Sequence, residues 1–134
     1  MATFSHLALQ ASIYSHLTSD TALMALVDGV YDRVPDDADF PYVTLGDIGI
    51  RDWSGKTFSG SQCSLQLHIH SREGGRKQSM EIMERLYSLL HDNNISVSGQ
   101  NMVMMRFLSS DIVLEQDGWS YHGNMRFSLL LQSE

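Results

Sequence analysis

The chain has 134 residues, 43% of them hydrophobic, with 9 Lys and Arg against 16 Asp and Glu, a formal net charge of -7. That length fits one globular domain burying about two-thirds of the surface it exposes when unfolded, with no disulfide or structural metal needed. The acidic balance argues against a protein that grips nucleic acid through basic groups, and the single Cys63 excludes an intrachain disulfide scaffold.

The first predicted element is a helix over Ser5 to Leu17, where Leu7, Ala11, Tyr14 and Leu17 recur at helical spacing and Ile13 widens the stripe. Ser19 and Asp20 offer N-cap oxygens to a second short helix, Thr21 to Val27, ending near Asp28-Gly29. Val30 to Val34 is β-rich but stops at Pro35, and Pro35-Asp36-Asp37-Ala38-Asp39 reads as an exposed loop. From Phe40 the apolar period becomes two. Val43 and Leu45 share one parity while Ile48 and Ile50 take the other, so Gly46-Asp47 marks a bulge or a switch of face. Trp53 to Gly60 is a polar hairpin connection. The next strand sets Cys63, Leu65, Leu67 and Ile69 on one face, with Ser64, Gln66, His68 and His70 on the other.

Glu73-Gly74-Gly75 breaks that strand, and a longer helix follows to about His91 on the stripe Ile82, Met83, Leu86, Leu89 and Leu90. Glu81, Glu84 and Arg85 fall on its wet side. Two last strands, about Met102 to Glu115 and Trp119 to Leu131, meet at Gln116-Asp117-Gly118, and Asp-Gly between β-type runs is a hairpin signal. Trp119, Tyr121, Met125, Phe127, Leu129 and Leu131 share one face. The whole reads as one α+β domain over residues 1–134: a four-stranded, mainly antiparallel sheet packed by one long and one or two short helices. The longest apolar run, Ala22 to Val27, is six residues against the roughly 18 of a membrane span. The start carries no Lys or Arg ahead of an apolar stretch, so no signal peptide is expected.

Residues capable of chemistry are few. His68 and His70 project from one strand face and would hold Zn²⁺ if further ligands converged, His122 being the nearest by chemistry; outward polar alternation alone predicts them and is the preferred reading. Cys63 sits in the apolar register and reads as a small buried hydrophobe. No nucleophile elbow or phosphate-binding glycine loop is present. Asp36, Asp37 and Asp39 lack the ordered spacing of a Ca²⁺ loop. Arg72, Arg76 and Lys77 form the one basic cluster, suited to an acidic surface of a partner or of another copy. Arg51, Asp52 and Trp53 present an arginine and an aromatic at an exposed turn, the residue types of interface anchors, and simple packing within the loop accounts for Trp53 equally well. No catalytic, metal or cofactor set emerges.

In order along the chain, Leu9-Gln10-Ala11, the run from Thr18 to Val27, Val30-Tyr31-Asp32-Arg33-Val34-Pro35 and Phe40-Pro41-Tyr42-Val43-Thr44-Leu45-Gly46 form a pattern. It continues through Arg51-Asp52-Trp53-Ser54, Thr57-Phe58, His68-Ile69-His70-Ser71-Arg72, Gly75-Arg76-Lys77, Leu86-Tyr87, Leu90-His91 and the stretch from Asp117 to Gly123. Together these pieces resemble the small tail-terminator (tail-completion) proteins of long-tailed bacteriophages, most closely the version of prophages and gene transfer agents. The resemblance implies a non-enzymatic virion component without cofactor: a hexameric ring on the head-proximal end of the tail tube, stopping its polymerisation and docking the filled head. Its implied partners are further copies, the tail tube protein and the neck or stopper protein; some proteins of this kind are monomeric in solution and form the ring only on the tube. DNA would pass the acidic lumen without specific binding, and no membrane is involved. Assembly would occur in the bacterial cytoplasm and the mature location be the virion. A ring needs complementary patches on different sides of one subunit, and Arg72, Arg76 and Lys77 against Asp36, Asp37 and Asp39 are one such pairing. A neck protein of the same particle, or a His68/His70 metal-binding module, are the competing readings.

Overall fold

In the computed structural model, which describes residues 6–72 and 76–133, the chain opens with helix α1 (His6–Thr18). Its buried face is Leu9, Ile13 and Leu17. Of the stripe expected from spacing only Leu17 and the flanking Ile13 are covered, while Leu7 is 84% and Tyr14 45% exposed. Apolar residues surround this helix, so two stripes compete; the aliphatic one packs, since a buried tyrosine hydroxyl would need a hydrogen-bond partner. The expected helix start at Ser5 lies outside the described residues, as does the Glu73-Gly74-Gly75 turn.

Asp20 then sets helix α2 (Thr21–Leu26): its backbone is extended and its Oδ2 accepts from Leu23 N–H at 2.8 Å. The same carboxylate takes both Nε (2.8 Å) and Nη2 (2.6 Å) of Arg85, a bidentate pair. Arg85 belongs to α3 (Lys77–Leu90), so the residue expected in solvent ties the two helices together. The Arg85 hydrogen bond lowers the Asp20 carboxyl to about 2.

Strands β1 (Gly29–Tyr31), β2 (Tyr42–Asp52), β3 (Gly60–Ser71), β4 (Gln100–Leu114) and β5 (Tyr121–Ser133) form one sheet in the order β1-β2-β3-β5-β4. The sheet is therefore five-stranded and mixed, not four-stranded. The additional strand, β1, is three residues long and pairs parallel to β2 from Gly29↔Tyr42 to Tyr31↔Thr44. Three residues are too few to display alternation, and tertiary pairing creates the strand. The remaining ladders are antiparallel.

A bulge between Leu45 and Ile48 resolves the parity change in β2. Leu45 pairs with Leu67 and Ile48 with Leu65, so both halves of the strand share the apolar face. That face meets the helices: Val43, Leu45, Cys63, Leu65, Leu67, Ile69, Met125, Phe127, Leu129 and Leu131 pack with Leu9, Ile13, Leu17, Ile82, Leu86 and Leu90. Helix α1 lies over β1 and β2, and α3 over β3, β5 and β4. The Ser71 and Ser79 hydroxyls, both fully buried, bond each other at 2.5 Å beneath the start of α3.

The hairpin between β4 and β5 turns at Gly118, whose φ of 83° is open to glycine without steric cost. Asp117 organises the turn, accepting from Trp119 N–H at 2.9 Å and Ser120 N–H at 2.8 Å. Trp119, expected on the dry face, thus belongs to the turn and is 54% exposed.

Replacing Asp20 by Ala removes a helix cap and the partner of Arg85 in one step. We expect a loss of about 1–2 kcal/mol from the cap, read as a lower urea midpoint, whereas Leu7→Ala, at an exposed site, leaves the midpoint unchanged.

Candidate functional site

With all helices on one side, the opposite face of the sheet is bare and polar. Alternation within β3 sends Gln62, Ser64, Gln66, His68 and His70 outward, and pairing with β5 adds His122, Asn124, Arg126 and Ser128. Gln66 donates to Asn124 Oδ1 across the ladder at 2.8 Å.

At one end of this face the three histidines named from sequence come together. His70 lies directly opposite His122, their rings 8° from parallel with centroids 4.9 Å apart. His68 Nδ1 and His122 Nε2 share a hydrogen bond of 2.7 Å. Tyr42 stacks on the other side of His70 at 4.7 Å, and Thr44 Oγ1 is 3.4 Å from its Nε2. Glu115 stands 3.6 Å from His122 Nδ1. Burial, then the neighbouring imidazoles, pushes His70 down to about 4, and burial lowers His68 as well. Two of these nitrogens, on His68 and His122, bond each other, and His70 Nε2 is paired with the Thr44 hydroxyl. Among the described residues no group of three or more His, Cys, Asp or Glu is arranged to hold a metal ion.

The basic cluster lies just past this end. Arg72 is held within its own subunit: Nε donates to Ser120 Oγ at 3.0 Å, and the guanidinium carbon sits 4.0 Å from the Phe40 ring and 4.4 Å from Trp119. Arg76 covers Tyr121 at 5.1 Å, and Lys77 is exposed at the start of α3. Phe40 follows Asp39 directly, so the loop carrying Asp36, Asp37 and Asp39 adjoins the basic cluster at the same end. Asp39 N–H donates to Asp28 Oδ2 at 3.3 Å, as does the Tyr31 hydroxyl. Sequence reasoning had no signal for Phe40 and Trp119 as the clamp on Arg72, because neither lies near Arg72 in the chain.

Arg51, Asp52 and Trp53 lie at the opposite end of the sheet, where Asp52 pairs with Ser61 at the start of β3. Trp53 N–H donates to Gly60 O at 2.9 Å, its ring packs on Phe58 at 5.2 Å, and Ser54 Oγ donates to Asp52 Oδ1 at 2.7 Å. Eleven strand steps of β3 separate the two patches, roughly 35 Å.

The suppressed His70 value has a consequence for acid stability. Unfolding restores the ordinary value of 6.5, so between pH 6.5 and 4 the unfolded chain binds a proton that the folded chain refuses. Stability is intact above that window and falls as pH drops through it, by about 1–2 kcal/mol after allowing for solvent screening. Denaturant midpoints of parent and His70→Gln chains at both ends of the window check this: the variant loses part of the difference.

A family model described as tail completion protein gp17 matches residues 11–132. The tail completion protein gp17 of Bacillus phage SPP1 is 25% identical over 126 residues, covering 91% of this chain and 92% of that protein. Among solved structures, a chain of the virion of a native gene transfer agent particle superposes with a TM-score of 0.86 at 24% identity, covering 96% of this chain and all of that one. The structure of bacteriophage SPP1 gp17 gives 0.63 at 21% identity, covering 91% and 86%. These two structures share the α+β fold with this chain, and the family match extends over nearly its whole length. The chain belongs to the tail completion protein gp17 family.

Proposed function

We propose that this protein terminates a virion tail: copies form a ring, hexameric in the assembled particle, that caps the tail tube, stops its growth and offers the filled head a docking surface. The observation that carries the reading is the family match from residue 11 to residue 132, which embraces every strand of the sheet. A capping layer also needs two axial surfaces, one for the tube and one for the neck. The patches at either end of β3 suit that requirement. Asp52 and Trp53 serve one side and Arg72, Arg76 and Lys77 the other, which leaves Arg51 and the loop of Asp36, Asp37 and Asp39 for contacts between copies.

The work done is polymer capping and docking, and no side-chain set described above supplies a catalytic step. Copies are made in the bacterial cytoplasm, monomeric until they meet a tube, and the finished ring is part of the virion. DNA passes through the lumen without a specific contact, in keeping with the net charge of -7 on each copy.

Electron microscopy of particles from the encoding strain lacking this gene tests the proposal. Overlong or ragged tails detached from DNA-filled heads are expected, restored by the parent gene supplied separately. Tails of normal length joined to normal heads would overturn it.

A further inference from the structure

The bare sheet face also carries a groove, away from the histidines. It is a depression of about 380 Å³ with Gly49, Ser64 and Ser128 as its floor, Arg51 and Gln62 on one bank and Leu108 on the other. Strand register explains it. Gly49 pairs with Ser64, Ser64 with Ser128, and Ser128 with Arg106, so three small residues cross the sheet in one row that ends on an arginine. At Gly49 a Cβ would stand 2.7 Å from Ser64 Oγ, so a larger residue there would turn that hydroxyl aside and make the groove shallower. The next row, through Gln66, brings Arg126 beside the groove. A register shift between Phe107 and Ser109 throws Leu108 out of the ladder, leaving it 55% exposed.

Arg51 lines the groove, and strand register sets Arg106 and Arg126 beside it; all three are exposed, and among the described residues none of them makes an ion pair. Three unpaired guanidiniums around a groove with one apolar wall suit an extended acidic segment bearing an aliphatic side chain. The chain contains such a segment. In the loop from Asp32 to Asp39, Asp32, Val34, Asp36, Asp37 and Asp39 are all exposed. It cannot fold onto its own groove, because it enters β2 at Tyr42 and the groove begins seven residues further on, roughly 20 Å along the strand. Loop and groove thus occupy different corners of one subunit. That is the arrangement a head-to-tail contact requires, each copy donating its loop to the next.

We propose that this groove receives the Asp32–Asp39 loop of a second copy of this chain, Arg51, Arg106 and Arg126 meeting Asp36, Asp37 and Asp39 while Leu108 covers Val34. The proposal rests on the ring reading above and gives that ring its lateral contact. It also frees Arg72, already held by Phe40, Trp119 and Ser120, from pairing with the acidic loop of a neighbour. A phosphate backbone is the other ligand that arginines attract, but Asp47 and Asp111 stand on the same face, and the chain as a whole is acidic.

The test uses full-length chains in the encoding strain with its own copy deleted, each gene under a titratable promoter. Arg106→Glu/Arg126→Glu and, separately, Asp36→Lys/Asp37→Lys are expected to leave thermal unfolding near that of the parent. Each should need roughly tenfold more protein, or more, to restore normal tail length. A chain carrying all four changes should recover much of the loss, since the charges are complementary again, and the milder Arg106→Gln/Arg126→Gln should fall between. Normal tails at parental protein levels with either reversed pair would overturn the groove contact while leaving the cap intact, as would a folded four-fold variant that recovers nothing. If the reversed arginines instead abolish binding of a short DNA duplex by the parent while tails stay normal, the groove is a nucleic-acid site. Normal tails in the deletion strain would remove the cap and this contact together.

Discussion

Twelve consecutive residue pairs join β3 to β5, from Gly60↔Gln132 to Ser71↔Tyr121, without a register shift. Everything else is arranged around this ladder. It seats the last strand of the chain between two earlier ones, and its apolar side, running from Cys63 to Ile69 and from Met125 to Leu131, is the floor on which the helices pack. Truncating one of these fully buried aliphatics to Ala costs about 2–5 kcal/mol, a large share of the stability of a domain this size. A one-residue slip would carry every one of these side chains to the wet face. The register is thus held by burial along the entire strand and not by the turn alone.

Because the helices occupy one side only, the ladder also determines what the other side shows. Each buried position alternates with an outward one, so the sequence that builds the core lays out the rows of the bare face at the same time. The histidines and the groove sit at places the ladder assigns, and the two end patches lie just beyond its ends. Arg51, Arg106 and Arg126 are held by strands, so the groove itself needs little reordering when a loop arrives.

Much of the fold was legible before any coordinates. Strong alternation in β3, the apolar stripe of α3 and the Asp-Gly turn each carry a local cause, and each element appears where its cause lies. The parity break at Gly46-Asp47 likewise became a real bulge. What stayed hidden depends on contacts between distant residues. Strand β1 exists because the chain returns beside it, the buried face of α1 was chosen by the sheet, and Arg85 is tied to Asp20 by the packing of two helices. The surface was less legible still. His68, His70 and His122 could be named together on chemistry, but strand order makes them neighbours. Arg106 and Arg126 gave no signal, being isolated arginines in alternating strands, and they gain meaning only through their shared position beside the groove.

Cys63 lies under the same ladder, 1% exposed, and burial raises its thiol to about 11. At neutral pH almost none of it is thiolate, the form that attacks disulfides and peroxides. Virions spend much of their existence in oxygenated surroundings without thioredoxin or glutathione to repair them. A reactive thiol on a virion component would invite adducts and cross-links between particles. With its sulfur enclosed by the sheet, Cys63 is withheld from that chemistry, and exposed methionines such as Met80 are the sites an oxidant reaches first.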